Sequence, residues 1–290
     1  MGPRDDFWTF SPPGRYKFAM DIALGSITAQ IARPQNLKFA WPIVVIPELF
    51  ATRRHLAVLT GYLASIGWEV CAIDRPSAAK VVPGGAFLYQ ADIIEGAIAA
   101  LDRDAIVLGH GLGGLLALKL AERRRVKAAV AIAPLIPGVP SPLFTRKRRM
   151  LGLGRESFGP PTGKLLFDLV ADADPFQREA IIKAFTAEDM NSAIEAARGA
   201  IDFLPAAAPR LIVSGDSDVF APQTAAAAFA ERIGAHLATL KGRGHWLIGG
   251  RALERAIAEI QRFLVRALGQ ELLLLYPDQS ELDDDSEAEG

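Results

Sequence analysis

Ile106-Val107-Leu108-Gly109-His110-Gly111-Leu112-Gly113-Gly114-Leu115-Leu116-Ala117 joins an apolar run, a cluster of glycines and a Leu/Ala-rich continuation. The run reads as a buried strand, the glycines as a tight turn and the continuation as a helix. Two templates compete for such a unit. A dinucleotide-binding turn needs Gly-x-Gly-x-x-Gly and an acid about 20 residues further on. Here Gly109, Gly111, Gly113 and Gly114 miss the final glycine, and Ala128 to Pro134 is apolar. A Gly-x-Ser-x-Gly nucleophile elbow matches at every position except the nucleophile, where Gly111 stands.

Two further loops follow in chain order. Leu211-Ile-Val-Ser214-Gly215-Asp216-Ser217-Asp218 puts an acid a few residues after a buried strand, and Leu240-Lys-Gly-Arg-Gly244-His245-Trp246 puts a histidine on a glycine-rich loop after the next strand. A lone loop Asp or His is ordinarily a turn residue. Strand, elbow, strand, acid, strand, histidine in this order is far more specific.

With these three loops the chain resembles the α/β-hydrolase superfamily over about residues 16 to 268. The resemblance implies an α/β fold with a mostly parallel central sheet, helices on both faces and a helical lid insertion. It implies Asp218 and His245 as the acid and histidine of a triad, with Gly111 at the nucleophile position. Leu112 and Leu49 (or Phe50) would be the backbone N–H donors of an oxyanion hole. Pro47-Glu48 departs from the His-Gly usual there. Glu48 reads as an outward surface carboxylate or as an auxiliary acid or base. His110 reads as a packed structural residue or an auxiliary one, and His55 and His236 as surface or helix-start residues. Ser77, Ser214 and Ser217 are poor replacements for the missing nucleophile.

The rest of the chain supports the same class. Lys17 to Leu24 and Ser26 to Ala32 predict a hairpin around Gly25. Strands are expected at 42–47, 69–73, 105–109, 127–133, 210–214 and 235–240, and helices at 55–66, 87–101, 112–122, 222–233 and from Gly250 to about Leu275. Apolar runs without alternation argue for a sheet covered on both faces. Between 134 and 205 the strand rhythm stops and helices are expected at 164–171, 175–186 and 190–203. The resulting division is an arm (1–15), a core (16–134 and 206–276), a helical lid (135–205) and an acidic, disordered tail (277–290). Leu272 to Leu275 read as a buried last turn or a docking contact.

Composition removes other classes. With 50% hydrophobic and 22% charged residues, fibrous and wholly disordered chains are excluded. The net charge is −1, but seven acids and no bases lie beyond Pro277, leaving a modest positive surplus elsewhere. The basic clusters at 123–125 and 146–149 lack interleaved aromatics, so nucleic acid is not an expected partner. A single cysteine, Cys71, allows no intrachain disulfide. No apolar run is long enough for a membrane span and the N-terminus does not resemble a signal peptide, so a cytoplasmic protein is expected. Four scattered histidines show no zinc spacing, and neither a metal nor another cofactor is expected.

Gly111 has no group with which to attack a carbonyl, so an acyl-serine mechanism is ruled out at that position. The leading expectation is an enzyme acting on a small carbonyl-containing substrate, hydrolase-like or lyase-like, with His245 and Asp218 as general base. Leu143, Phe144, Leu165, Leu166, Phe167, Leu169 and Phe203 are candidate pocket walls. Two alternatives stay open: an inactive homologue that binds a ligand or protein partner, or a serine esterase whose nucleophile has been changed to glycine. The oligomeric state is not legible.

Overall fold

The structure, a computed structural model, describes residues 16–78, 85–144 and 158–273. Eight strands form one sheet in the order β1-β2-β4-β3-β5-β6-β7-β8. They are β1 Tyr16–Leu24, β2 Ile27–Pro34, β3 Ile43–Ile46, β4 Val70–Ile73, β5 Ala105–His110, β6 Val126–Ile132, β7 Arg210–Gly215 and β8 His236–Leu240. β1 pairs antiparallel with β2, and β2 antiparallel with β4. All remaining pairs are parallel. Every residue of β3, β4, β5 and β7 is buried, which requires cover on both faces and explains why these segments are largely apolar, His110, Arg210 and Ser214 being the polar exceptions.

The crossovers carry α1 (Ala57–Ser65), α2 (Ala86–Ala99), α3 (Leu112–Leu120) and α7 (Gln223–Ile233), and α8 (Leu253–Leu268) follows the last strand. α3 is buried along its whole length. α8 shows the opposite pattern, burying Leu253, Ala256, Ile257, Ile260, Phe263 and Leu264 at helical spacing and turning its charges outward. Between β6 and β7 lie the short helices α4 (Lys164–Leu169), α5 (Arg178–Ala184) and α6 (Asn191–Ala197). A single bridge, Phe158 to Glu188, ties the inserted segment to itself where no strand pairing was expected.

Three expectations about helix ends are corrected. α8 stops at Leu268, not near Leu275, because Gly269 adopts φ +57 and a 3₁₀ turn, Gly269–Leu272, follows. Leu272 is buried there, Leu273 is half exposed, and Leu274 and Leu275 lie outside the described residues. α6 ends well before 203, since Gly199 turns the chain with φ +70. α5 begins at Arg178, the preceding turn being closed by the Asp174 carboxylate, which accepts the Phe176 N–H at 2.8 Å. The expected arm, the acidic tail, the 146–149 cluster and part of the expected lid also lie outside the described residues. No helix among the described residues is long and apolar enough to cross a membrane.

Cys71 sits in the middle of β4, buried, and burial, helped by the Glu69 charge and offset in part by Arg103, pushes its thiol up to about 12. The native protein is therefore expected to leave Ellman's reagent unreacted at pH 8, with one thiol released for reaction in guanidinium chloride. Rapid labelling of the native chain would show that β4 opens readily.

Candidate active site

The carboxyl ends of β3, β5, β7 and β8 converge, as parallel strands in register must. Gly109 and Gly113 make the approach of β5 to α3 feasible: a Cβ on Gly109 would lie 2.0 Å from the Gly113 carbonyl oxygen, and one on Gly113 would lie 2.4 Å from that of Ile46. Gly111, between them, has φ +54 and ψ −116, a strained conformation that glycine adopts at low cost.

Asp218 lies in the loop after β7. Its Oδ1 accepts the N–H groups of Phe220 (2.8 Å) and Ala221 (3.1 Å), which leaves Oδ2 aimed at His245 Nδ1, 2.8 Å away. His245 follows β8 with its ring against Phe220, and its loop is pinned where the Gly244 N–H donates to Asp172 at 2.5 Å. Asp218 and His245 are thus in contact and buried, in the arrangement that holds an imidazole in one orientation.

The position opposite His245 Nε2 belongs to Glu48. Its Oε2 lies 2.9 Å from Nε2, and a Cβ built on Gly111 would fall 1.1 Å from that same oxygen. Glu48 therefore fills the space that a side chain at 111 would take. Its other oxygen, Oε1, accepts the Leu112 N–H at 3.0 Å and the Leu49 N–H as well. Both backbone donors identified from sequence point at one atom, and that atom belongs to the protein. The N–H of Phe50, the alternative donor, points elsewhere and donates to Glu188 Oε2 at 2.6 Å.

The expectation that Glu48 is an outward surface residue is corrected: it is 1% exposed. β3 ends at Ile46 and Pro47 follows, so the chain turns inward at the one place where a glycine leaves room for a carboxylate. Burial alone would push the Glu48 carboxyl up. The hydrogen bond and charge of His245, the nearby His110 and the Leu112 N–H outweigh it and hold the group below its ordinary range. His245 shows the mirror image: burial lowers it, but Asp218 and Glu48 flank both ring nitrogens and hold the imidazolium well above its usual range.

His110, fully buried at the end of β5, donates Nε2–H to the His245 carbonyl at 2.9 Å, while its Nδ1 has no hydrogen-bond partner. Burial, with the adjacent His245, brings it down to about 4, so it is neutral. His55 departs from the surface reading. It belongs to the 3₁₀ turn Arg53–Leu56, is buried, accepts the Thr52 N–H at 3.0 Å, donates to the Ile181 carbonyl at 3.2 Å and stacks on Phe185. His236 is exposed but begins a strand, not a helix.

None of Ser77, Ser214 and Ser217 stands at the elbow in place of a nucleophile. Ser77 donates to Asp189 Oδ2 at 3.0 Å, Ser217 to Asp216 Oδ1 at 3.1 Å, and Ser214 is buried within β7. Sequence reading missed the neighbouring charge cluster: Arg75, its side chain fully enclosed, meets Glu188 of the inserted segment, and Asp189 receives Ser77 and the Ala78 N–H. Nothing local marks Glu188 and Asp189, because their partners are more than 100 residues away in sequence. Among the candidate walls, Leu143 and Leu169 are buried and Leu165 and Leu166 half-buried, whereas Phe167 is 58% exposed. Phe203 stacks on Phe229 at 5.2 Å, and the Phe144 side chain lies outside the described residues. A narrow cleft lined by Arg54, His55, Asp174, Ile181, Trp246 and Gly249 opens beside the His245 loop.

A parallel sheet with an elbow after β5, an acid after β7 and a histidine after β8 defines the α/β-hydrolase fold. The chain belongs to the alpha/beta hydrolase family, whose sequence model matches residues 38–259. No curated protein matches it. Among solved structures it is similar to the monoacylglycerol lipase of Paleococcus ferrophilus (TM-score 0.64, 19% identity, 83% of this chain and 99% of that one). It is also similar to a soluble variant of the monoglyceride lipase of Saccharomyces cerevisiae (TM-score 0.65, 13% identity, 88% and 97%). A third is the enol-lactonase of Burkholderia xenovorans (TM-score 0.61, 19% identity, 87% and 100%). At these identities the likeness establishes the fold.

Proposed function

We propose that this family member is an enzyme acting on a small carbonyl-containing substrate by proton transfer through His245 and Asp218, hydrolase-like or lyase-like, with no acyl-serine intermediate. The observation that carries the reading is the 2.9 Å contact between His245 Nε2 and Glu48 Oε2 in a notch without a hydroxyl. Burying a His and two carboxylates together is costly in a core that apolar side chains would fill as well or better, and such clusters concentrate at functional sites.

In the resting arrangement Glu48 holds both the imidazole proton and the two backbone donors. A substrate carbonyl entering the notch takes the place of Oε1 at the Leu112 and Leu49 N–H groups. As Glu48 is displaced it takes the Nε2 proton with it as a neutral carboxylic acid, and the neutral His245 becomes a base for a bound water or an acidic C–H of the substrate. Asp218 keeps the ring oriented throughout. The cleft beside Trp246 is the approach this reading uses.

A panel of short esters, lactones and β-dicarbonyl compounds tests it. Turnover of at least one, without a covalent protein adduct by mass spectrometry, is expected to fall about 100-fold in His245→Ala. Equal rates for the wild type and the variant on every compound turned over would overturn it. A second reading, an inactive homologue that binds a ligand, is favoured by one observation: both hole donors are already satisfied by Glu48. It predicts ligand binding that survives His245→Ala.

A further inference from the structure

We propose that Glu48, His110 and His245 form a binding site for a divalent zinc-class cation, one carboxylate oxygen and two imidazole nitrogens supplying the donors. One donor atom from each residue lies within 4.8 Å of the others, and all three side chains are buried. In sequence the three stand 62 and 135 residues apart, without any spacing that marks a metal motif.

The hydrogen bonds around the two rings prepare them as ligands. His245 Nδ1 is committed to Asp218, so Nε2 is the nitrogen that faces the site. His110 Nε2 is committed to the His245 backbone carbonyl, so its lone pair resides on Nδ1, a buried acceptor that no donor in the protein reaches. Metal-binding histidines have this character: the far ring N–H is fixed by a carboxylate or a carbonyl, and the near nitrogen is left bare. Glu48 is likewise fixed from behind by the Leu112 and Leu49 N–H groups on Oε1, leaving Oε2 toward His245.

The geometry suits an ion in place of the proton that Glu48 and His245 share. Donors 2.9 Å apart subtend about 90° at an ion with bonds of roughly 2.0–2.1 Å. The contribution of His110 requires its ring to close on the other two from within the 4.8 Å that now spans the three donors. Local charge favours a cation, since Asp218 stands behind His245 and Glu48 acts with Glu188 and Asp189 on the buried Arg75 guanidinium. Two imidazoles and one carboxylate make a three-ligand set of the kind that leaves a coordination position open.

The inference goes beyond the proton-transfer reading and does not depend on it. The full chain, stripped with a chelator and dialysed, is titrated with Zn²⁺ by calorimetry and with Co²⁺ by visible absorption. One equivalent of Zn²⁺ is expected to bind, with Co²⁺ giving d–d bands. Affinity should fall about 100-fold in Glu48→Gln and in His110→Ala, and about 10-fold in Asp218→Asn, which removes the support behind His245. His236→Ala, on the exposed strand β8, should bind as the wild type does. Should His110→Ala fail to fold, Glu48→Gln, which keeps side-chain shape, decides alone. No Zn²⁺ binding by the wild type, or unchanged binding in Glu48→Gln, overturns the proposal while leaving the His245→Ala activity test to judge the other reading.

Discussion

Changing Glu48 to glycine and Gly111 to serine in the same chain is expected to raise p-nitrophenyl acetate hydrolysis about 10³-fold over either single variant, with acyl-enzyme detectable by mass spectrometry. Neither change suffices by itself. With Gly111→Ser alone, the new Cβ collides with Glu48 Oε2, and the hole donors stay occupied by Oε1. With Glu48→Gly alone, the donors and His245 are freed but nothing attacks. Together, a hydroxyl at 111 meets an imidazole already oriented by Asp218 at 2.8 Å, and the Leu112 and Leu49 N–H groups face the empty space where an oxyanion forms. The positive φ at 111 makes a side chain there strained, so the double variant should be less stable than the wild type. A well-folded double variant that neither turns over the ester nor labels with a fluorophosphonate at position 111 would show that these elements do not add up to a triad.

Gly109→Ala is expected to be the most damaging single methyl that can be added to the elbow. Its Cβ would lie 2.0 Å from the Gly113 carbonyl oxygen and 2.5 Å from the Gly114 nitrogen, backbone atoms of a buried helix that cannot rotate away. β5 and α3 would have to separate at the centre of the core, a loss of about 3 kcal/mol or more. In thermal unfolding that is a Tm lower by roughly 10 °C, or a chain that does not accumulate in soluble form. Gly96→Ala, on α2 with open space around it, is the control and should change Tm by no more than about 2 °C. Comparable Tm values for the two variants would mean that β5 and α3 are not packed this closely.

Much of this architecture was legible before any coordinates. The largely apolar runs at 42–47, 69–73, 105–109 and 210–214 announce strands buried on both faces, and their alternation with helical spacing announces a mostly parallel sheet. Helix ends were read less well where a glycine such as Gly269 or Gly199 acted through its backbone conformation and not through the hydrophobic period. The pairing of Asp218 with His245 follows from chain order, because loops after adjacent parallel strands open on the same edge.

For Glu48 the sequence leaves two readings open, an outward surface carboxylate and an auxiliary acid or base, and does not choose between them. A glutamate after a proline has the composition of a surface turn, and its destination depends on a void created by a glycine 63 positions later. The same holds for His110, whose bare Nδ1 exists only because the His245 carbonyl takes Nε2. Local pattern alone determined the α/β class, the order of the three loops and the glycine at the centre of the elbow, since each is written in neighbouring residues and their spacing. Only the tertiary structure decided what stands in the nucleophile's place, because side chains brought together from β3, β5 and β8 are neighbours in space and strangers along the chain.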